Sequence, residues 1–157
     1  GEVVEATLTI PGRIFEQMEK RKEAWPIQYT SDDKKAPWLA PSRLLLYIQV
    51  AEPYRKVEQQ FPRGEDTITR MVDKPIRKDE YNLQIDGKSF PIHEAYNGVY
   101  PYIERSNLGI FADISDLEPG TEHTIRVKLP DDLRPGQFQG LFIEHVENEY
   151  TPHLQTP

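Results

Sequence analysis

Three tyrosines are crowded into Tyr96–Asn97–Gly98–Val99–Tyr100–Pro101–Tyr102. An exposed aromatic ring offers a flat apolar surface to the CH-rich face of a sugar, and tyrosine adds a polar tip. Asn97 in the same stretch supplies an amide for the hydroxyls. Trp38, and more distantly Trp25, stand beside prolines in loop-like sequence and extend such a platform. These residues predict ligand binding, a glycan first of all, with Tyr96, Asn97, Tyr100, Tyr102 and Trp38 in contact. The competing expectation is that Tyr100 and Tyr102 pack on a sheet while the tryptophans plug the ends of the fold, since aromatics in strands usually serve the core.

Other chemistry is less well supported. Carboxylates gather in Asp113–Ile114–Ser115–Asp116–Leu117–Glu118 and in Asp131–Asp132. Acidic loops can hold calcium, which needs six to eight oxygens, but the spacing of an EF-hand is missing and turn formation accounts for the same residues. His93, His123, His145 and His153 show no ligand-like spacing, so no metal site is expected. His123 falls in register with Ile125, which predicts a partly buried, hydrogen-bonded imidazole. Glu144 and His145 point to opposite faces of a regular strand. No Gly-x-Ser-x-Gly elbow surrounds Ser31, Ser42, Ser89, Ser106 or Ser115, and no dinucleotide or phosphate-binding glycine motif is found, so no cofactor is expected. Twenty-six acidic residues could furnish a pair for glycoside hydrolysis, but abundance alone does not make a site.

Charge narrows the partners. The chain carries 19 basic against 26 acidic side chains, a net charge of −7. Residues 1–78 hold 14 Lys/Arg and 12 Asp/Glu, whereas residues 79–157 hold 5 and 14. An acidic half repels phosphate backbones, whose affinity rests on lysine and arginine, so nucleic acid is not an expected partner. Lys20–Arg21–Lys22 and Lys34–Lys35 are balanced by nearby acids and read as solvated surface. No apolar run is long enough to cross a bilayer, the longest being Leu44–Leu45–Leu46–Tyr47–Ile48. The absence of cysteine excludes disulfides and thiolate chemistry. The chain begins at Gly1 without a leader, as expected where a targeting segment has been removed.

The elements that must position these groups are mostly strands. Val4, Ala6, Leu8 and Ile10 alternate with polar residues, and Pro11–Gly12 stops the run. Leu44, Leu46, Ile48 and Val50 form one face of a second, central strand. Tyr81, Leu83 and Ile85 lead into Asp86–Gly87, a dipeptide suited to the positive φ angles of a type I′ hairpin, with Phe90 and Ile92 beyond. After Glu118–Pro119–Gly120, a turn, His123, Ile125, Val127 and Leu129 face inward and Thr124, Arg126 and Lys128 face water. Gln137 to Val146 is apolar without alternation and predicts a strand covered on both faces. A short surface helix is predicted over residues 13–23, with Ile14, Phe15 and Met18 inward. Residues 31–42 and 52–66, rich in proline and charge, read as long loops.

Short strands, frequent turns and little helix predict one all-β domain spanning residues 1–157, an antiparallel two-sheet sandwich of about seven to nine strands. The stretch Leu117–Glu118–Pro119–Gly120–Thr121–Glu122–His123–Thr124–Ile125–Arg126–Val127 resembles the turn and strand found late in many immunoglobulin-like and jelly-roll modules. No functional residue follows from that resemblance. The expected function is a non-catalytic accessory module, free-standing or part of a larger extracytoplasmic protein, that binds a glycan. A structural or protein-interaction module is the alternative, and a carboxylate-dependent hydrolase the third.

Overall fold

A computed structural model describes residues 1–24, 42–95 and 109–147. The described residues form β1 (Val3–Thr9), α1 (Gly12–Ala24), β2 (Ser42–Val50), β3 (Tyr54–Arg63), β4 (Asp66–Pro75), β5 (Asn82–Ile85), β6 (Lys88–Ser89), β7 (His93–Ala95), β8 (Gly109–Asp113), β9 (Glu122–Lys128) and β10 (Phe138–Glu147). They make two four-stranded sheets, ordered β1-β9-β5-β6 and β10-β2-β8-β7, and a separate β3-β4 hairpin. Every strand pairing is antiparallel, as the all-β expectation requires. The strands outnumber the seven to nine expected, because the hairpin and the very short β6 and β7 leave little alternation to detect.

Alternation fixes which faces meet the core. In β9 the burial follows the sequence, with His123, Ile125 and Val127 inside and Thr124, Arg126 and Lys128 outside. One buried cluster collects Leu44, Leu46, Ile48 and Val50 of β2, Ile110 and Ala112 of β8, Leu83 and Ile85 of β5, and Ile125 and Val127 of β9. Both sheets therefore contribute to a shared interior. Met18 of α1 joins it and Ile14 packs against it, while Phe15, expected inward, lies 37% exposed. Asp86 and Gly87 both have positive φ, 53° and 79°, which is the type I′ geometry read from the Asp-Gly pair.

Two expectations need correction. Residues 52–66 are not a long loop: β3 and β4 pair in register from Tyr54↔Pro75 to Arg63↔Asp66. Gly64, at φ 63°, takes the first central position of the tight turn, the place where a II′ hairpin needs glycine. The second correction concerns β10. Among the described residues it lies at a sheet edge with β2 as its only sheet neighbour, and Phe142 and Ile143 are 49% and 43% exposed instead of covered. The β2 strand is central, as expected, lying between β10 and β8, and it is buried on both faces: Leu45 and Tyr47, opposite the core row, are 0% and 2% exposed. Residues 31–41 lie outside the described residues.

Candidate ligand-binding face

The tyrosine-rich stretch joins β7 to β8. Tyr96, Asn97, Tyr100, Tyr102 and Trp38 all lie outside the described residues, as do Trp25 and His153. What is described is the scaffold at both ends of residues 96–108. There Ala95 of β7 pairs with Gly109 of β8, and the ladder continues through Glu94↔Ile110 and His93↔Phe111.

Register then lines up four aromatic rings across the whole sheet. His93 pairs with Phe111, Phe111 with Tyr47, and Tyr47 with Phe142. Residues directly opposite one another share a face, so the row crosses β7, β8, β2 and β10 on the side away from the shared core. The Tyr47 and Phe111 ring centres are 6.0 Å apart at 45°, and those of His93 and Phe111 5.5 Å apart at 31°. Tyr47 and Phe111 are buried, His93 is half-buried, and the row opens to solvent at Phe142. Burial, the largest influence, holds the His93 imidazole below its ordinary pKa, so the ring is neutral through most of the physiological range. Sequence reasoning missed the row because its members sit in four strands whose neighbours only the fold reveals. The one local signal was Tyr47, set in β2 opposite the Leu44, Leu46, Ile48 and Val50 row.

A buried ion pair stiffens the same face. Arg43 and Asp113 have side chains 9% exposed, and Arg43 Nε donates to Asp113 Oδ2 at 2.7 Å while its Nη2 donates to the same oxygen. The other oxygen accepts from Ser115 Oγ at 2.6 Å and from the Ser115 backbone N–H at 3.0 Å. The Asp113–Glu118 stretch considered for calcium is thus organised as a turn around an arginine. Ser42 Oγ lies 2.8 Å from His145 Nε2, a hydroxyl–imidazole contact at this end of the sheet. Ser42 is 5% exposed and Asp113 is turned to Arg43 and Ser115, so the pair joins β2 to β10 rather than presenting a nucleophile. Among the described residues no group of three His, Asp or Glu converges as metal ligands.

His123 is the hydrogen-bonded imidazole the sequence predicts, and its partners explain its protonation. Nδ1 donates to Asp86 Oδ2 at 2.6 Å and Nε2 to the Glu118 carbonyl at 2.7 Å. Both nitrogens face acceptors, which only the imidazolium satisfies. The Asp86 carboxylate first, then the Glu118 carbonyl, raise the His123 pKa above 6.5, and His123 in turn lowers that of Asp86 below 3.8. A raised histidine stabilises the fold fully below about pH 6.5 and loses that contribution as pH climbs through its folded value. A lowered aspartate contributes above about pH 3.9 and loses its share as pH falls through its own. Thermal melts across pH should therefore peak between those limits. Replacing His123 with Gln should flatten the alkaline arm, and an unchanged alkaline arm would show that the latch contributes nothing.

Comparison with protein-family models, with curated proteins and with solved structures finds no match to this chain.

Proposed function

We propose that this chain is a non-catalytic binding module, a single β-sandwich domain of the immunoglobulin-like or jelly-roll kind, that takes a glycan on the face carrying the aromatic row. The observation that supports it most is the register Phe142↔Tyr47↔Phe111↔His93. It runs to the strands that hold both ends of the Tyr96–Tyr102 stretch. Rigid strands flanking an aromatic connection suit recognition, since binding residues commonly sit on loops held by a stiff scaffold. Phe142 supplies an exposed ring at the open end, and Tyr96, Asn97, Tyr100, Tyr102 and Trp38 are the ligand contacts in this reading.

Calorimetric titration against a panel of polysaccharides tests it. Wild type should bind at least one class saturably, and Phe142→Ala and Tyr100→Ala should each weaken binding roughly tenfold, the loss of one stacked ring. No saturable binding to any class would remove the proposal.

A second reading, a protein-interaction module, draws on the β3-β4 hairpin. Its ten-residue strands pair with each other and with no other strand among the described residues. Met71 is 57% exposed on it. Isolated two-stranded hairpins are marginal in water, and free strand edges invite pairing with another chain. Arg55 ties the root to the body, donating to Asp132 at 2.7 Å and 2.9 Å and to Glu80 at 2.5 Å. A chain that ignores every polysaccharide yet forms a salt-sensitive protein complex would favour this reading.

A further inference from the structure

At the root of the β3-β4 hairpin lies a hollow of about 330 Å³ lined by Glu52, Tyr54, Lys56, Asp73 and Arg134. This is near the lower end of small-molecule pockets. Tyr54 opens β3 opposite Pro75, and its ring is 38% exposed. Lys56 and Asp73 are the next pair on the same face, and Lys56 Nζ is 2.7 Å from Asp73 Oδ1. Arg134 Nη2 approaches Glu52 Oε2 at 3.9 Å across the hollow's other side.

The walls are held by a buried amide. Gln137 is 6% exposed, and its Nε2 donates to the Glu52 carbonyl at 2.9 Å while its Oε1 accepts from the Arg134 backbone N–H at 2.9 Å. The Gln137 carbonyl also accepts from Ala51 N–H at 2.8 Å. One glutamine thus fixes the two residues that face each other over the hollow. Glu52 itself has φ 46°, a left-handed conformation that glutamate seldom adopts. Such strain persists where surrounding contacts over-determine it, and it concentrates at functional positions. Next to Glu52 and Tyr54 in the chain, Pro53 is fully buried and its carbonyl accepts from the N–H of Ile76, itself 1% exposed, at 2.8 Å.

We propose that this hollow is a subsite for a neutral sugar residue, with the Tyr54 ring as its stacking surface and Glu52, Asp73, Lys56 and Arg134 as its hydrogen-bonding wall. It rests on the glycan reading above and adds a second contact, one built from described residues. Two cations and two anions line the hollow, so its charges cancel and offer nothing to a polyanion or polycation. Hydroxyl groups serve both kinds of partner, donating to the carboxylates and accepting from Arg134 and Lys56. The aromatic ring takes the apolar face that a sugar presents and that a simple ion lacks.

Titration of wild type, Tyr54→Phe, Tyr54→Ala and Tyr100→Ala with neutral β-glucan, mannan, xyloglucan and starch, and with acidic polygalacturonate, tests the subsite. Tyr54→Ala should bind the preferred neutral polymer roughly tenfold more weakly, and Tyr54→Phe should stay within about threefold of wild type. Tyr54→Ala should melt close to wild type because the ring is half-exposed, which separates lost binding from lost folding. Wild-type affinity in Tyr54→Ala overturns the subsite, and if Tyr100→Ala loses binding in the same series the broader glycan reading stands. Binding to polygalacturonate alone overturns the neutral-sugar assignment. Wild type that binds none of the polymers removes both.

Discussion

Arg43→Ala should destabilise the fold by about 3–5 kcal/mol, the usual consequence of taking one partner from a buried ion pair. Asp113 would keep its Ser115 donors but lose both guanidinium contacts, in a site where its side chain is 9% exposed. A carboxylate so enclosed has little water to replace an arginine. Against a total stability of about 5–15 kcal/mol, this is a large fraction. Urea and thermal unfolding should show the loss, and a paired Arg43→Met, Asp113→Leu variant should recover much of it, because removing both charges leaves no buried ion behind. A cost below about 1 kcal/mol for Arg43→Ala would place the pair among ordinary surface bridges.

Leu46→Ala should cost about 2–5 kcal/mol, the range for deleting most of a buried leucine and leaving a cavity. Leu46 is 1% exposed in β2, with β8 on one side and β10 on the other. Its neighbours Ala112 and Ile143 are held in register, so the gap cannot close by a simple slide of one strand. Ile143→Ala, at a position 43% exposed on the edge strand, should cost clearly less. Equal losses at the two positions would mean that the strand order does not govern packing.

That contrast also marks the limit of sequence reading. The alternation in β9 and the Asp86–Gly87 turn were legible because burial on one face and positive φ leave local marks. The β3-β4 hairpin was not, since the inward-leaning pairs Val57↔Val72 and Phe61↔Ile68 are spaced four residues apart and mostly charged or polar side chains lie between them. An apolar run such as Leu141–Ile143 announces a strand but not its place at an edge. The aromatic row and the hollow at the hairpin root were hidden for a related reason. Tyr47 and Phe111 meet only through strand pairing, and Glu52 and Arg134 are brought together by the buried Gln137, which is far from Glu52 in the chain. The tyrosine-rich stretch was singled out from composition alone and lies outside the described residues, while the strands that flank it could be placed only by the fold.

The most direct measurement of the proposed role is an amide NMR titration of the intact chain with the neutral polysaccharide fragment that binds best. Saturable shifts should cluster at residues 96–108, at Ala95 and Gly109 beside them, and at Phe142 on the open end of the aromatic row. Shifts that leave all of these positions unmoved, or no saturable shift at all, would contradict it.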